Sequence, residues 1–336
     1  MKAVILRETG DAGNLRLEEV PSPAPRAGEV VVHLRAAALN HRDVWIRRGL
    51  YAGIRLPVIL GSDGAGEVDE LGEGCDPSML GKPVLIYPVF NWGSDPRVFE
   101  REFRILGMPD DGTYAERIRV PAANVCSIPP GYSYMEAAPF PLAALTAFRA
   151  VVTRAQLTKG ESVLITGIGG GVSLFALQIA KALGADVYVT SGNKAKLERA
   201  LQMGAAGGAN YRDADWGDQI LRMTGGSGPD VAIDSVGGST FDQLIDLIRP
   251  GGRIVTYGAT TGPTPQIQVR RIFWKQINIL GSTMGTPREF QLVLQLFAEI
   301  GLRPVIDEVF QLRDASAAHL KMERAEQFGK IGLHID

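Results

Sequence analysis

The chain has two cysteines among its 336 residues, Cys75 and Cys126, and neither sits in C-x-x-C spacing. A disulfide framework is thereby excluded, and both read as small hydrophobes packed in a reducing compartment. The four histidines, His33, His41, His319 and His334, show no ligand spacing either. Charged residues make up 21% of the chain, the net charge is −2, and no basic run appears. That balance argues against nucleic acid as a main partner. No apolar run reaches the roughly 18 residues that a membrane span needs. Residues 1–7 (MKAVILR) are too short for a signal peptide and read as a first strand. The expectation is a soluble, cytoplasmic protein with no membrane partner.

Glycine is plentiful, with 40 residues, and hydrophobic residues reach 45%. The length suggests two domains with real cores. The organising stretch is 161–201, ESVLITGIGGGVSLFALQIAKALGADVYVTSGNKAKLERAL. An apolar strand at 162–166 turns through Gly167, Gly169, Gly170 and Gly171 into an apolar helix, and a second strand follows at 186–190. Strand, helix and strand within about 30 residues make a βαβ unit. A glycine turn at a helix start lets backbone N–H groups and the helix dipole approach a pyrophosphate. Strict G-x-G-x-x-G is missing, because Ser173 stands where the last glycine of GGGVG would fall. A βαβ unit that binds no nucleotide stays open on these glycines alone.

The first third reads as short strands broken by Gly and Pro, a compact β-barrel-like domain. Its runs are a hairpin over 1–19, EVVVHLRAAA at 29–38, a short helix after Asn40-His41-Arg42-Asp43, and strands ending near 71, 88 and 120. The polar, aromatic lobe at 89–105 has no strong period and reads as a surface loop with one helical turn. Further strand–helix alternation runs to residue 282, then an amphipathic helix, a strand, a helix and a closing GKIGLHI.

Six segments in order, ALNHRDVWIRRGLY, GSDGAGEV, GTYAERIRVPA, the glycine stretch, DSVGG and GGRIVTYGAT, resemble the medium-chain dehydrogenase/reductase superfamily along essentially the whole chain. The resemblance implies an α/β fold: an N-terminal chaperonin-10-like β-barrel domain plus a Rossmann doubly wound parallel sheet. The expected boundaries are a catalytic domain at 1–125, a cofactor domain at 126–286 and a C-terminal return to the catalytic domain at 287–336.

Zinc-dependent members hold catalytic zinc through Cys, His and a third Cys or acid. Carried over by position, this chain has Asn40, Ser62 and Leu142 there. A neutral amide and a hydroxyl are poor zinc ligands, leucine is none, and Asp63 alone makes no tetrahedral site. The four cysteines of the structural-zinc lobe are absent from 89–105. Neither zinc site is expected. Without that Lewis acid, a conjugated acceptor is the easier substrate, because negative charge delocalises as an enolate or hydroquinone and hydrogen bonds stabilise it.

N-x-x-D…GLY looks like the zinc-free quinone oxidoreductase branch, which implies that Asn40, Trp45 and Tyr51 line the nicotinamide and substrate cleft, with Asp43 beside them. Each also has a plain structural reading. Asn40 could bond the loop backbone, Asp43 could make a structural hydrogen bond or ion pair, and Trp45 and Tyr51 could be packing aromatics. Arg42 stands where zinc alcohol dehydrogenases place a proton-relay hydroxyl.

The second Rossmann strand ends in Thr190-Ser191-Gly192-Asn193-Lys194-Ala195-Lys196, without the acid that NAD enzymes use on the ribose 2′-hydroxyl. Hydroxyl, glycine and lysine groups suit a 2′-phosphate instead, so NADPH is expected and NADH less so. Solvated helix-start charge is the other reading of Lys194 and Lys196. By resemblance Ser191, Lys196 and Tyr211 surround the adenosine phosphate, and Thr146 lies near the carboxamide. Gly169, Gly170, Gly171 and Val172 form the pyrophosphate turn, and Val236, Gly258 and Ala259 line the nicotinamide half. The expected activity is NADPH-dependent reduction of a small-molecule acceptor, a quinone or conjugated carbonyl. An enoyl-thioester or alkenal reductase, or a low-activity NADPH-binding structural or RNA-associated protein, stays open. The apolar edge strand at 277–280 makes a homodimer the expected assembly.

Overall fold

A computed structural model describes residues 1–263 and 266–336. The chain forms two compact units, Met1–Ala143 with Gly285–Asp336, and Ala144–Met284.

The first unit is built around the strand Glu29–Ala38. Three consecutive valines, Val30 to Val32, open it, and β-branched side chains suit a strand buried on both faces. It pairs antiparallel with Asp63–Leu71, with Arg117–Pro121 and with the closing strand Lys330–His334. Lys330–His334 in turn pairs parallel with Ile306–Gln311. The C-terminal return to the barrel is therefore carried by main-chain bonds. A smaller sheet of Leu15–Glu19, Lys2–Leu6 and Val58–Ile59 packs on the same core.

The unit continues to Ala143, past the boundary expected at residue 125. The reason is packing. The helix Tyr134–Ala137 lies on the strands Glu29–Ala38 and Asp63–Leu71. The Leu142 N–H donates to Asp63 Oδ1 at 2.8 Å, and the Phe140 ring meets Phe297 edge-on at 4.0 Å. The Tyr87 hydroxyl donates to the Gly285 carbonyl at 2.9 Å, which draws the second boundary to Gly285.

The lobe after Pro88 differs from expectation. It carries no helical turn; the short strands Val89–Phe90 and Arg104–Ile105 close it as a hairpin. Inside, Phe99 stacks on Phe103 at 4.3 Å and Trp92 meets both rings edge-on. Aromatic packing supplies the order that periodicity lacked.

The second unit is a six-stranded parallel sheet in the spatial order Gly207–Asn210, Asp186–Ser191, Ser162–Ile165, Val231–Asp234, Arg253–Thr256, Asn278–Gly281. In chain order that is 3-2-1-4-5-6, the doubly wound arrangement whose ligands lie at the carboxyl ends of the strands. The strand Gly207–Asn210 gave no sequence signal, because glycine has low strand propensity. It is held by parallel pairing with Asp186–Ser191, and a glycine fits at 207 because a Cβ there would lie 2.7 Å from the Met223 sulfur.

The run Tyr134–Arg154 is long and apolar enough to cross a membrane, with a mean hydropathy of 1.2, which revises the sequence expectation. In this fold 83% of its most apolar window is buried inside the protein, as for a core helix.

Candidate functional site

In the first unit the chain leaves Glu29–Ala38, extends through Asn40 (φ −128°, ψ 153°) and enters the helix His41–Arg47. Asp43 reaches back to accept the Asn40 backbone N–H at 2.8 Å, satisfying a donor at the helix start. The Tyr114 hydroxyl donates to the same Asp43 oxygen at 3.1 Å. Asp43 is fully buried, and burial pushes its carboxyl up against the opposing pull of Arg42, the Asn40 N–H and Tyr114. These bonds support the structural reading of Asp43: the enclosed carboxyl holds the helix start.

The Asn40 side chain faces charged partners. Its Nδ2 donates to Asp63 Oδ2 at 2.9 Å, and its Oδ1 accepts from the Lys330 ammonium at 2.6 Å. Lys330 also donates to Asp63 Oδ2 at 2.9 Å, and both side chains are buried. The second Asp63 oxygen accepts the Leu142 N–H. One carboxylate thus ties the segments of Asn40, Leu142 and Lys330 together. Ser62 lies in another buried set: Arg42 donates to Ser62 Oγ at 2.7 Å and to the Leu106 carbonyl at 2.8 Å, and the serine hydroxyl donates to that same carbonyl.

Tyr51 is half-buried against the barrel core, with the Arg42 guanidinium 5.3 Å from its ring centroid. Trp45 is half-buried, and Arg48 lies 6.0 Å from its ring. Asn40 and Asp43 are therefore brought together directly, while Trp45 and Tyr51 are placed by the same helix and the turn after it.

A groove of about 730 Å³ elsewhere on this unit is lined by Arg7, Arg104, Arg117 and Arg119. Each is already paired with an acid: Glu18, Asp110, Asp69 and Glu29 respectively. A fifth arginine, Arg26, also lines the groove, which does not include Asn40.

In the second unit, the turn after Ser162–Ile165 runs through Gly169 at φ +117°, a conformation closed to most residues. A Cβ at Gly169 would lie 2.8 Å from Lys196 Cδ, so the lysine stem packs directly on the turn. Gly170 caps the helix Gly171–Ala182, whose first N–H groups, including that of Val172, have no carbonyl inside the helix. Ser173, the departure from the glycine pattern, turns its hydroxyl back onto the carbonyls of Gly170 (2.9 Å) and Gly167 (3.2 Å). The turn tolerates this serine because the hydroxyl braces it.

At the end of Asp186–Ser191, Ser191 is buried and its Oγ accepts the Asn193 N–H at 3.2 Å. Tyr211 and Arg212 close over Gly192: a Cβ there would meet the Tyr211 hydroxyl at 2.6 Å and Arg212 Nε at 2.8 Å. Arg212 is a residue that sequence reasoning missed. Its signal was adjacency, since it directly follows Tyr211.

Val236, Gly258 and Ala259 share one corner. Asp234, fully buried, accepts the Thr166 hydroxyl at 2.6 Å, the Val236 N–H at 3.2 Å and the Gly237 N–H at 3.1 Å. Burial pushes its carboxyl up, and those three donors oppose the push. Gly237 sits at φ +67°, 3.0 Å from Ala259 by its missing Cβ. Thr260 and Thr261 N–H groups bond back to Ser235 and Val236. Thr146 is buried, with its hydroxyl 3.9 Å from the Met284 sulfur.

A β-barrel unit and a doubly wound parallel sheet with a glycine turn after its first strand make the architecture of dinucleotide-binding proteins. Residues 26–130 match the family described as Alcohol dehydrogenase GroES-like domain, and residues 171–299 the family described as Zinc-binding dehydrogenase. A zinc-type alcohol dehydrogenase-like protein YogA of Leptosphaeria maculans is 34% identical over 96% of this chain and 94% of its own. An acryloyl-coenzyme A reductase of Metallosphaera sedula is 32% identical over 99% of each chain. A human quinone oxidoreductase is 29% identical over 95% of this chain and 93% of its own. Among solved structures, an NAD-dependent alcohol dehydrogenase superposes with a TM-score of 0.95 at 38% identity over the whole of both chains. The chain belongs to the medium-chain dehydrogenase/reductase superfamily and is one of its oxidoreductases.

Proposed function

We propose that this protein is an NADPH-dependent, zinc-free reductase of conjugated carbonyl compounds or quinones. In this reading the first unit is catalytic, with its C-terminal return, and the second binds the cofactor. The observation that carries it is the Lys330 ammonium bonded to Asn40 and Asp63. Asn40, Ser62 and Leu142 stand at the positions where the resemblance puts zinc ligands, and they offer an amide, a hydroxyl and no donor. A resident ammonium beside the one available carboxylate opposes a second cation, and Arg42 occupies the Ser62 hydroxyl. Among the described residues no group of three His, Cys, Asp or Glu could hold a metal ion. The donor set does not suit zinc.

It suits hydrogen bonding. A reduced nicotinamide supplies a hydride to an electrophilic conjugated carbon when bound. For an enone, the carbon–carbon π pair would become the enolate double bond as the carbonyl π pair moves onto oxygen, and a proton from water at the α-carbon would complete the reduction. Asn40 contributes an N–H to the oxygen that gains charge, and Tyr51 and Trp45 contribute aromatic surface to the flat acceptor. Acryloyl-coenzyme A reductase and quinone oxidoreductase relatives match this chain over almost its full length, and both names denote conjugated acceptors.

The glycine turn and the strand end fit the cofactor. Gly169, Gly170, Gly171 and Val172 would hold the pyrophosphate, and Ser191, Lys196, Tyr211 and Arg212 a 2′-phosphate, where no acid is present for a 2′-hydroxyl. Thr146, Val236, Gly258 and Ala259 would hold the nicotinamide half. The Asn278–Gly281 strand lies at the sheet edge beside Phe273 and Trp274, which are 64% and 80% exposed. A second copy adding strand to strand would cover that edge, so a homodimer is the proposed assembly, in the cytoplasm.

The test is loss of nicotinamide absorbance against a quinone, an enone and an enoyl thioester, with NADPH or NADH, before and after chelation. Turnover that prefers NADPH and survives chelation supports the reading, and the best acceptor identifies the substrate class. Activity lost on chelation and restored by zinc overturns it.

A further inference from the structure

Asn40, Asp63 and Lys330 form a closed hydrogen-bonded set within the first unit, and all three side chains are buried. An ammonium can only donate and a carboxylate can only accept. The carboxamide of Asn40 lies between them, with Oδ1 on Lys330 and Nδ2 on Asp63. Its orientation is therefore dictated. Turned over, its NH2 would face the ammonium and its oxygen the carboxylate. Asp63 is itself pinned, by the Leu142 N–H on Oδ1 and the Thr113 hydroxyl on its main-chain carbonyl at 2.8 Å. The Asn40 Nδ2 carries two hydrogens, and Asp63 takes one.

We propose that Lys330 and Asp63 are positioning residues that lock the Asn40 carboxamide so that its second Nδ2–H faces the oxygen of a conjugated acceptor. A carboxamide free to flip would present its oxygen part of the time, repelling the charge that develops on the acceptor. Holding the donor in advance removes that reorganisation from the reaction. The inference rests on the reading of this protein as a reductase of conjugated acceptors.

The experiment compares kcat and KM of the wild type, Asn40→Ala, Lys330→Arg, the charge-free double variant Lys330→Met/Asp63→Asn, and that double variant combined with Asn40→Ala. Asn40→Ala lowers kcat by about a hundredfold, the loss typical of one removed oxyanion donor, with the KM for NADPH unchanged. The double variant removes both charges together and so avoids an unpaired buried ion. It lowers kcat by roughly tenfold with Asn40 present and by less than about twofold once Asn40 is alanine, because residues acting through a third lose their effect with it. Lys330→Arg keeps the charge and retains most of the activity.

Equal losses in both backgrounds overturn the proposal. A second readout needs no turnover: in protein labelled with ¹⁵N-asparagine, the Asn40 NH2 signals are assigned by their loss in Asn40→Ala. They exchange slowly with solvent in the wild type and fast in the double variant; identical exchange overturns the proposal. A wild type that reduces no conjugated acceptor overturns the functional reading, while the amide signals still decide the positioning.

Discussion

Lys330 and Asp63, 267 positions apart in sequence, form an ion pair of 2.9 Å with side chains 4% and 0% exposed. A buried pair of this kind is more costly to break than to replace, because removing one partner strands the other charge. Lys330→Met alone is expected to destabilise the protein by about 3–5 kcal/mol. Adding Asp63→Asn restores a large part of that loss. Urea unfolding of the two variants measures the difference; equal destabilisation by both shows that the pair is not held as described.

His319 is expected to contribute to loss of stability in acid. The ring is fully buried edge-on to Tyr114, and among the described residues neither of its nitrogens has a hydrogen-bond partner. Burial, with Arg47 second, pushes its pKa down to about 3. The unfolded chain binds a proton as pH falls below the ordinary histidine value near 6.5, while the folded chain binds it only around 3. Stability present at neutral pH is therefore lost through that window, by roughly 2 kcal/mol at about pH 5. His319→Leu flattens this slope, which denaturant midpoints at neutral and acid pH would show.

The proposed cofactor preference is tested at Lys196 and Arg212. Lys196→Ala with Arg212→Ala is expected to weaken NADPH binding by tenfold or more, since charge-assisted bonds to a phosphate contribute roughly 1.5–3 kcal/mol each. NADH binding changes little. Calorimetric titration with both nucleotides checks this, and parallel losses for the two would place Lys196 and Arg212 away from the 2′-phosphate.

Asp234→Ala removes the acceptor shared by Thr166, Val236 and Gly237. Two backbone N–H groups are released and the corner beside Ala259 loosens. The expected result is roughly 1–3 kcal/mol of lost stability, together with weaker nucleotide binding. Asp234→Asn keeps an acceptor and falls between. Intact nucleotide affinity in Asp234→Ala would remove that corner from the cofactor site.

Phe273→Lys with Trp274→Lys places charge beside the sheet edge. If a second copy covers this face, the double variant sediments as a monomer under conditions where the wild type is a dimer. A wild type that is already monomeric ends the proposal.

Much of this protein follows from local pattern. The Glu29–Ala38 strand, the βαβ unit and the glycine turn are visible because period, β-branching and glycine act over neighbouring residues. The order of segments was enough to identify the superfamily. That Asn40, Ser62 and Leu142 stand where the resemblance puts zinc ligands was legible too, since residue identity is a fact of sequence.

What tertiary structure alone decided is what those residues do instead. Lys330 stands in an apolar closing strand, and nothing local names its partners, which lie 290 and 267 positions upstream. For Asp43 the sequence left chemistry and a structural bond both open, and only the fold supplies its burial and its capping bond to the Asn40 N–H. The strand Gly207–Asn210 forms against its own propensity by pairing with Asp186–Ser191, where Tyr188 and Met223 leave no room for a Cβ at Gly207. The common reason is physical. Propensity and periodicity are summed over adjacent residues, whereas the energy of a buried charge or a crowded glycine depends on groups that only the fold brings within a few ångströms.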